Sequence, residues 1–319
     1  MKHPSISIAM ATYNGEKFIA KQLDSILQQT FEDWELVVCD DKSTDKTFEI
    51  LNEFKKNDSR LKIHENTTNL GFKKNFEKIT SICSGEFIVF CDQDDIWTPD
   101  HIETLYREIE NYDCICANAQ MIDDNGNSLG ITMRDFIPVH ILPTNNKFFY
   151  KHELYGNIVQ GAACMIRRSL LEKALPIPES VKFHDWWFAL MACEHGGCKY
   201  IDKTILQYRR HDANVSQCDK FDLKEAILLF FRKRDSWISS YQDSILLLNE
   251  FEKRNPASQR LNWIHSAKRF YLSLLNNNDY IWRFIHYFKN YNIIQLSFKR
   301  NLMTFTYRLL ALAIKGVKI

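Results

Sequence analysis

Four times in its first ninety residues this chain runs apolar for a few positions and then stops at a polar break. The runs are Ser5–Ala11, Glu35–Asp40, Leu61–His64 and Phe87–Cys91. They are short and rich in β-branched and aromatic residues, which reads as buried strands rather than helices. Between them the apolar positions return at helical spacing: Phe18, Ile19, Leu23, Ile26 and Leu27; then Phe48, Ile50, Leu51 and Phe54; then Phe76 and Ile79. Strands alternating with helices at this spacing predict parallel β-α-β units joined by right-handed crossovers. The expected fold class is therefore α/β, a mainly parallel central sheet flanked by helices. Ligands of such sheets bind along the carboxyl ends of the strands, where the polar breaks fall.

The fourth run is the most informative. Phe87-Ile88-Val89-Phe90-Cys91 ends in Asp92-Gln93-Asp94-Asp95-Ile96-Trp97, three carboxylates within four positions. A buried central strand would deliver this negative charge to the ligand rim. Carboxylate oxygens are hard donors suited to Mg2+ or Mn2+, ions that commonly share their shell with substrate phosphates. A plain helix start capped by Asp residues would give the same local pattern, so the neighbouring breaks decide between the two. Thr12-Tyr13-Asn14 offers an aromatic face for a base, Asp41 an acceptor for a pyrimidine imino N–H, and Lys73 or Lys74 a cation for base or phosphate. Asp92 and Asp94 would hold ribose and metal.

Downstream, Pro99 opens a helix expected to reach about Asn111, and Cys114–Ile122 alternates like a strand before the turn Asp124-Asn125-Gly126-Asn127. Residues 133–155 read as an irregular, mobile loop. The small-residue run Val159–Ile166 reads as a strand in which Gly161 permits a close approach. A helix is expected from His184, then two more strands ending at Tyr208-Arg209-Arg210-His211-Asp212. Residues 1–220 form the expected catalytic-type domain and 221–319 a helical extension. Its last segment, 298–319, mixes basic and apolar residues without an acid, as a helix lying on an anionic membrane surface or packing on the domain would.

Composition narrows the class. Lys and Arg number 41 against 40 Asp and Glu, so no global field argues for nucleic acid. Nine cysteines without a CxxC pair support neither a zinc site nor a disulfide framework, and a reducing, cytoplasmic setting fits. No leader precedes the first strand and no apolar window spans a bilayer, so any contact with the inner face of the plasma membrane is expected to be peripheral.

Four strings together carry a resemblance: Ala11-Thr12-Tyr13-Asn14, Asp40-Asp41-Lys42-Ser43-Thr44-Asp45-Lys46-Thr47, Asn69-Leu70-Gly71-Phe72 and Asp92-Gln93-Asp94-Asp95-Ile96-Trp97. The sequence closely resembles the family-two, GT-A-fold glycosyltransferases over roughly residues 5–217. The resemblance implies inverting transfer of a sugar from a nucleoside diphosphate, with a divalent metal (Mg2+ or Mn2+) bridging the diphosphate to the acidic pair. It implies that Ala11, Thr12, Tyr13, Asn14, Asp41, Lys74, Asp92, Gln93 and Arg210 serve the nucleotide sugar. Asp94 would be the principal metal ligand and Asp92 would lie nearer the ribose.

His184-Asp185-Trp186-Trp187 resembles the Glu-Asp motif of the family with His in place of Glu. By that match Asp185 is the general base; His184, Trp186 and Trp187 are the acceptor-side candidates, with Trp186 or Trp187 as the apolar wall under the acceptor ring and at least one of the two expected to be core. Tyr208-Arg209-Arg210-His211 resembles the Tyr-Arg-x-His segment of rhamnosyltransferase-like members; His211 is a candidate further metal or diphosphate ligand, since a neutral imidazole suits Mn2+, and Arg209 or Arg210 a candidate partner of the leaving diphosphate. The expected reaction is transfer of L-rhamnose from dTDP-rhamnose to a saccharide or lipid-linked saccharide of a cell-surface polysaccharide; a UDP-hexose or UDP-N-acetylhexosamine donor is the alternative. A dinucleotide dehydrogenase is disfavoured because Thr12–Glu16 lacks the Gly-x-Gly-x-x-Gly turn. A non-catalytic nucleotide-sugar-binding protein would have lost base or metal carboxylates, and all are present.

Overall fold

The computed structural model describes residues 4–136, 146–211 and 234–275. Strands β1 (Ile6–Thr12), β2 (Trp34–Asp40), β3 (Leu61–Glu65) and β4 (Phe87–Cys91) form the parallel half of the sheet. Helices α1 (Ile19–Leu27), α2 (Thr47–Asn57) and α3 (Phe72–Ile82) make the crossovers. Thr12 lies opposite Asp40, and Met10 opposite Cys91, so the polar breaks after β1, β2 and β4 meet on one rim. Asp45, which precedes the Lys46 cap position of α2, accepts the otherwise free Thr47 N–H of that helix on its Oδ1 at 2.9 Å.

Beyond β4 the sheet turns mixed. The short β5 (Ile96–Trp97) and helix α4 (His101–Glu108) lead to β6 (Cys114–Ile122), which forms a hairpin with β7 (Ser128–Thr132). Strand β8 (Cys164–Arg167) lies antiparallel between β4 and β6, and β9 (Cys198–Arg209) runs parallel to β6 and pairs with β5. The sheet order is β3-β2-β1-β4-β8-β6-β9-β5, with β7 beside β6. The GT-A architecture expected from sequence is present.

Three local expectations are corrected. The segment read as two strands before Tyr208 is the single β9: pairing jumps from Ala117↔Ile201 to Asn118↔Thr204, and the extra Asp202 and Lys203 bulge out. Most of Val159–Ile166 is not strand, because a 3-10 turn at Gly161–Ala163 precedes β8. Part of the expected loop 133–155 is helix α5 (Asn146–Glu153), whose Phe149 and Tyr150 are fully buried.

Helices α6 (Leu171–Ala174) and α7 (His184–Glu194) cover one face of the sheet. Of the expected helical extension, α8 (Arg234–Arg254) and α9 (Leu261–Leu275) are described. Leu247, Phe251, Ile264 and Phe270 join the core that contains Trp187 and Phe188. Arg254 donates to the carbonyls of Lys173, Leu175 and Pro176, and Arg260 to those of Cys193 and Glu194, so the extension grips the C-terminal ends of α6 and α7. Among the described residues no helix is long and apolar enough to cross a membrane. The expected surface-binding segment 298–319 lies outside the described residues.

At the opposite end of the sheet from the polar rim, buried Glu35 accepts from Ser7 Oγ at 2.5 Å and from the N–H and Oγ of Ser84 at 2.8 Å each, and pairs with Lys62. Burial pushes this carboxyl up, but the bonds from Lys62, Ser7 and Ser84 outweigh it and hold it at about 2, below the ordinary 4.5. Because the folded value is depressed, its stabilisation is present above pH 4.5 and lost as pH falls toward 2. Glu35→Gln should cost about 1–3 kcal/mol at neutral pH. It should also flatten the loss of stability over that acid window, as read by urea unfolding at several pH values.

Candidate active site

The rim is built from loops that hydrogen-bond one another. After β1, Thr12 Oγ1 donates to Asp40 Oδ1 at 2.9 Å, and Asn14 Oδ1 accepts the Thr44 N–H at 2.8 Å, with Asn14 itself in the left-handed region (φ 48°). Asp40 also accepts Ser43 N at 2.8 Å and Ser43 Oγ at 2.6 Å. Tyr13, between these anchors, is 47% exposed, so its ring stands clear of the core. Gln93 holds it there: its Oε1 accepts the Tyr13 N–H at 2.8 Å and its Nε2 donates to the Tyr13 carbonyl at 3.0 Å. Gly15 leaves room for this clamp, since a Cβ there would fall on the Gln93 carboxamide and displace it from Tyr13. Ala11 is half-buried and packs on the core below.

Asp41 is buried beneath the rim. Its Oδ1 accepts Asn66 Nδ2 at 2.7 Å and Leu70 N at 2.8 Å, and its Oδ2 accepts Gly71 N at 2.8 Å. The carboxylate thus shapes the Asn69-Leu70-Gly71 turn. The lysines after that turn are engaged elsewhere. Lys73 Nζ donates to the carbonyls of Pro178, Glu179 and Val181, and Lys74 pairs with Glu179 at 2.5 Å.

The acidic cluster lies at the end of β4. Asp92 is raised above the usual carboxylate range by burial and by the charges of Asp94 and Asp185. Asp94 Oδ2 meets His211 Nε2 at 2.7 Å, and each side chain is 14% exposed. Asp95 is raised well above its ordinary value by burial and by Asp94 and Asp92.

Arg209 organises this cluster. It is fully buried; its N–H donates to Asp95 Oδ1 at 2.9 Å, its Nε to the Asp94 carbonyl at 2.7 Å, and its Nη1 to the carbonyls of Asp123 and Asp124 at 3.0 and 3.1 Å. Phe18 carries the guanidinium 4.7 Å from its ring and stacks on His211 at 5.2 Å. Of the two arginines expected at the leaving group, Arg209 is therefore a structural brace, and half-buried Arg210 is the one beside His211 at the rim.

Asp185 enters from α7, at the first turn. Its Oδ1 accepts the Trp186 N–H at 2.7 Å. Burial pushes its carboxyl up to about 6, against hydrogen bonds from Trp186 N, the Asn157 side chain and Gly161 N that pull the other way. Gly161 lies beside it: a Cβ there would make an ordinary 3.4 Å contact with Asp185 Oδ2, so space alone does not require glycine at this turn. The charge of Asp185 contributes, after burial and Asp94, to raising Asp92, so carboxylates from two distant parts of the sequence act on each other here.

The neighbours of Asp185 face inward. Trp187 is fully buried, donates to the Ala174 carbonyl at 2.8 Å and meets Phe251 edge-on, so of the two tryptophans it is core and not the acceptor wall. Trp186 is 9% exposed and donates to the Glu153 carbonyl at 2.8 Å. His184 stacks on Phe76 at 4.1 Å within a box that includes Phe72 and Phe90; burial holds its imidazole at about 3, hence neutral. Sequence reasoning assigned no role to Asp95 or Asn157 and gave Arg209 a ligand role rather than this bracing one. The third acid of the Asp92-Gln93-Asp94-Asp95 run was the available signal for the first.

A mixed sheet, parallel from β3 to β4, whose carboxyl rim carries an exposed aromatic and a buried acidic cluster, with a helix-borne carboxylate acting on that cluster, has the GT-A architecture. The sequence model of Glycosyl transferase family 2 matches residues 7–175, more than half of the chain, and the chain belongs to that family of glycosyltransferases. An uncharacterized glycosyltransferase of Methanocaldococcus jannaschii is 29% identical over 217 residues, 66% of this chain and 72% of that protein. The Escherichia coli protein named UDP-Glc:alpha-D-GlcNAc-diphosphoundecaprenol beta-1,3-glucosyltransferase WfgD is 37% identical over 123 residues, 38% of this chain and 47% of its own length. In fold, the chain is similar to the mannosyltransferase PcManGT of Pyrobaculum calidifontis, solved with GDP-Man and Mn2+. The TM-score is 0.57 at 17% identity, covering 99% of this chain and 87% of that one.

Gln93→Ala removes both bonds to the Tyr13 backbone. Amide hydrogen exchange at residues 13–15 should accelerate about tenfold, the equivalent of one net hydrogen bond, while exchange in β4 stays unchanged.

Proposed function

We propose that the chain transfers a sugar, with inversion, from a nucleoside diphosphate donor to an acceptor hydroxyl, with Asp185 as general base. One observation carries this reading: the acidic run after β4 is set against His211, with Asp94 Oδ2 2.7 Å from His211 Nε2, and the charge of Asp185 on α7 also bears on that run. An acceptor oxygen next to Asp185 would give up its proton as it attacks the anomeric carbon, while the bond from that carbon to the diphosphate oxygen breaks on the opposite face.

The donor set at the rim fits a divalent cation. Two carboxylates and an imidazole (Asp94, Asp92, His211) are suited to Mg2+ or Mn2+. Among the described residues no three His, Cys, Asp or Glu side chains are already arranged as a metal site, so phosphate oxygens would complete the shell. When bound, such an ion supplies positive charge beside the departing diphosphate. The chain's own part is to hold Asp94 and His211 in place through Arg209 and Phe18, and to set Arg210 at the same rim. Tyr13 offers its exposed face to the base. Asp41 Oδ2, with a single donor, keeps a lone pair for a pyrimidine imino group.

A UDP-hexose donor and a lipid-linked saccharide acceptor are favoured by the name of the Escherichia coli relative. A second reading, dTDP-L-rhamnose, rests on the Tyr208-Arg209-Arg210-His211 segment. Either product suits a cell-surface polysaccharide made at the inner face of the membrane, with the enzyme in peripheral contact.

Two measurements test this. Incubation with a panel of UDP-, dTDP- and GDP-sugars plus Mn2+ should release nucleotide with one class; release from none of them contradicts the reading. Asp185→Asn should lower kcat about 10²–10⁴-fold, the usual worth of a general base, with donor KM little changed. In the wild type kcat should fall as pH drops below about 6, because protonated Asp185 cannot accept a proton. A rate independent of Asp185 would remove it from the base role.

A further inference from the structure

One fully buried acid takes no part in the chemistry described so far. Glu153 closes helix α5, and its Oε1 accepts the Ile158 N–H at 3.0 Å. Its main-chain carbonyl accepts the indole N–H of Trp186 at 2.8 Å. Oε2 has no hydrogen-bond partner among the described residues. A buried carboxyl with an unmatched oxygen is costly, and a hydrophobic residue of similar size would avoid that cost.

The two groups that Glu153 holds are sequence neighbours of the groups that set Asp185. Ile158 follows Asn157, whose side chain bonds the Asp185 carboxylate, and Trp186 supplies the N–H that bonds Asp185 Oδ1. We propose that Glu153 is a positioning residue for Asp185, fixing from one point both the loop that carries Asn157 and the indole that follows the base. The inference rests on Asp185 being the base, and Glu153 itself touches no reacting atom.

Burial pushes the Glu153 carboxyl well above its ordinary value, and the charge of Asp185 adds to this. What the Ile158 N–H requires at this point is an acceptor oxygen, whether or not it carries charge. Glutamine, with its carbonyl oxygen at the same reach, should therefore replace it, and leucine should not.

The test is a steady-state comparison of wild type, Glu153→Gln and Glu153→Leu in the full-length protein, with melting temperature recorded for each. Glu153→Leu should lower kcat at least tenfold with donor KM within twofold of wild type. Its acid limb should move to higher pH, because Asp185 loses the Asn157 bond that helps keep it ionised; Asp92, whose titration is linked to the charge of Asp185, is left in place. Glu153→Gln should restore kcat to within threefold and return the limb to its wild-type position. The inference is overturned if both variants keep wild-type kcat and acid limb. It is equally overturned if both lose activity in step with melting temperature while the limb stays fixed. Wild-type rates in Asp185→Asn would instead overturn the base assignment itself, so the two failures are told apart.

Discussion

Everything at this rim depends on keeping several like charges together where they repel one another. Asp92, Asp94 and Asp95 follow a fully buried strand, and Asp185 arrives from a helix on one face of the sheet. Crowding and burial raise Asp92 and Asp95. The arrangement persists because the backbone leaves the acids little freedom. Arg209 bonds the Asp94 carbonyl and the Asp95 carboxylate while anchoring the β6–β7 turn through Asp123 and Asp124. Stored electrostatic strain of this kind is what a cation with a phosphate ligand would relieve, which is a common property of binding sites.

The same logic explains why α7 is held at both ends. Its N-terminal turn presents Asp185, and its C-terminal carbonyls are gripped by Arg260 from the helical extension. Trp187 and Phe251 make the side of α7 continuous with α8. The described part of the extension is thus an integral support for the helix bearing the proposed base, and the aromatic residues that follow Asp185 serve that support more than they serve a ligand.

Strand ends were legible because their physics is local. Apolar runs halted by Thr12, Asp41 and Asp92 name the rim directly, and alternation with helices gives the parallel half of the sheet. The pairing of Asp94 with His211, 117 residues apart, was reachable only through the family resemblance. What stayed hidden depends on tertiary context. Helix α5 reads as loop because Pro138 and Pro143 and a run of Asn precede it, and only packing against α7 and α9 makes Phe149 and Tyr150 core. The bulge at Asp202 and Lys203 imitates a break between two strands. Trp187 next to a candidate base looks like a ligand wall, yet at that point of the helix the side chain points into the core. Lys73 and Lys74 follow a conspicuous turn, but nearby carbonyls and Glu179 take them.

The central claim is that Asp94 and His211 together present a site that takes a divalent cation along with a nucleoside diphosphate. Electron paramagnetic resonance of Mn2+ titrated with the protein, with and without UDP, tests it without reference to turnover. The account predicts that free Mn2+ signal is lost only when protein and UDP are both present, and that Asp94→Ala with His211→Ala restores it. Equal loss of signal in the double variant would contradict it.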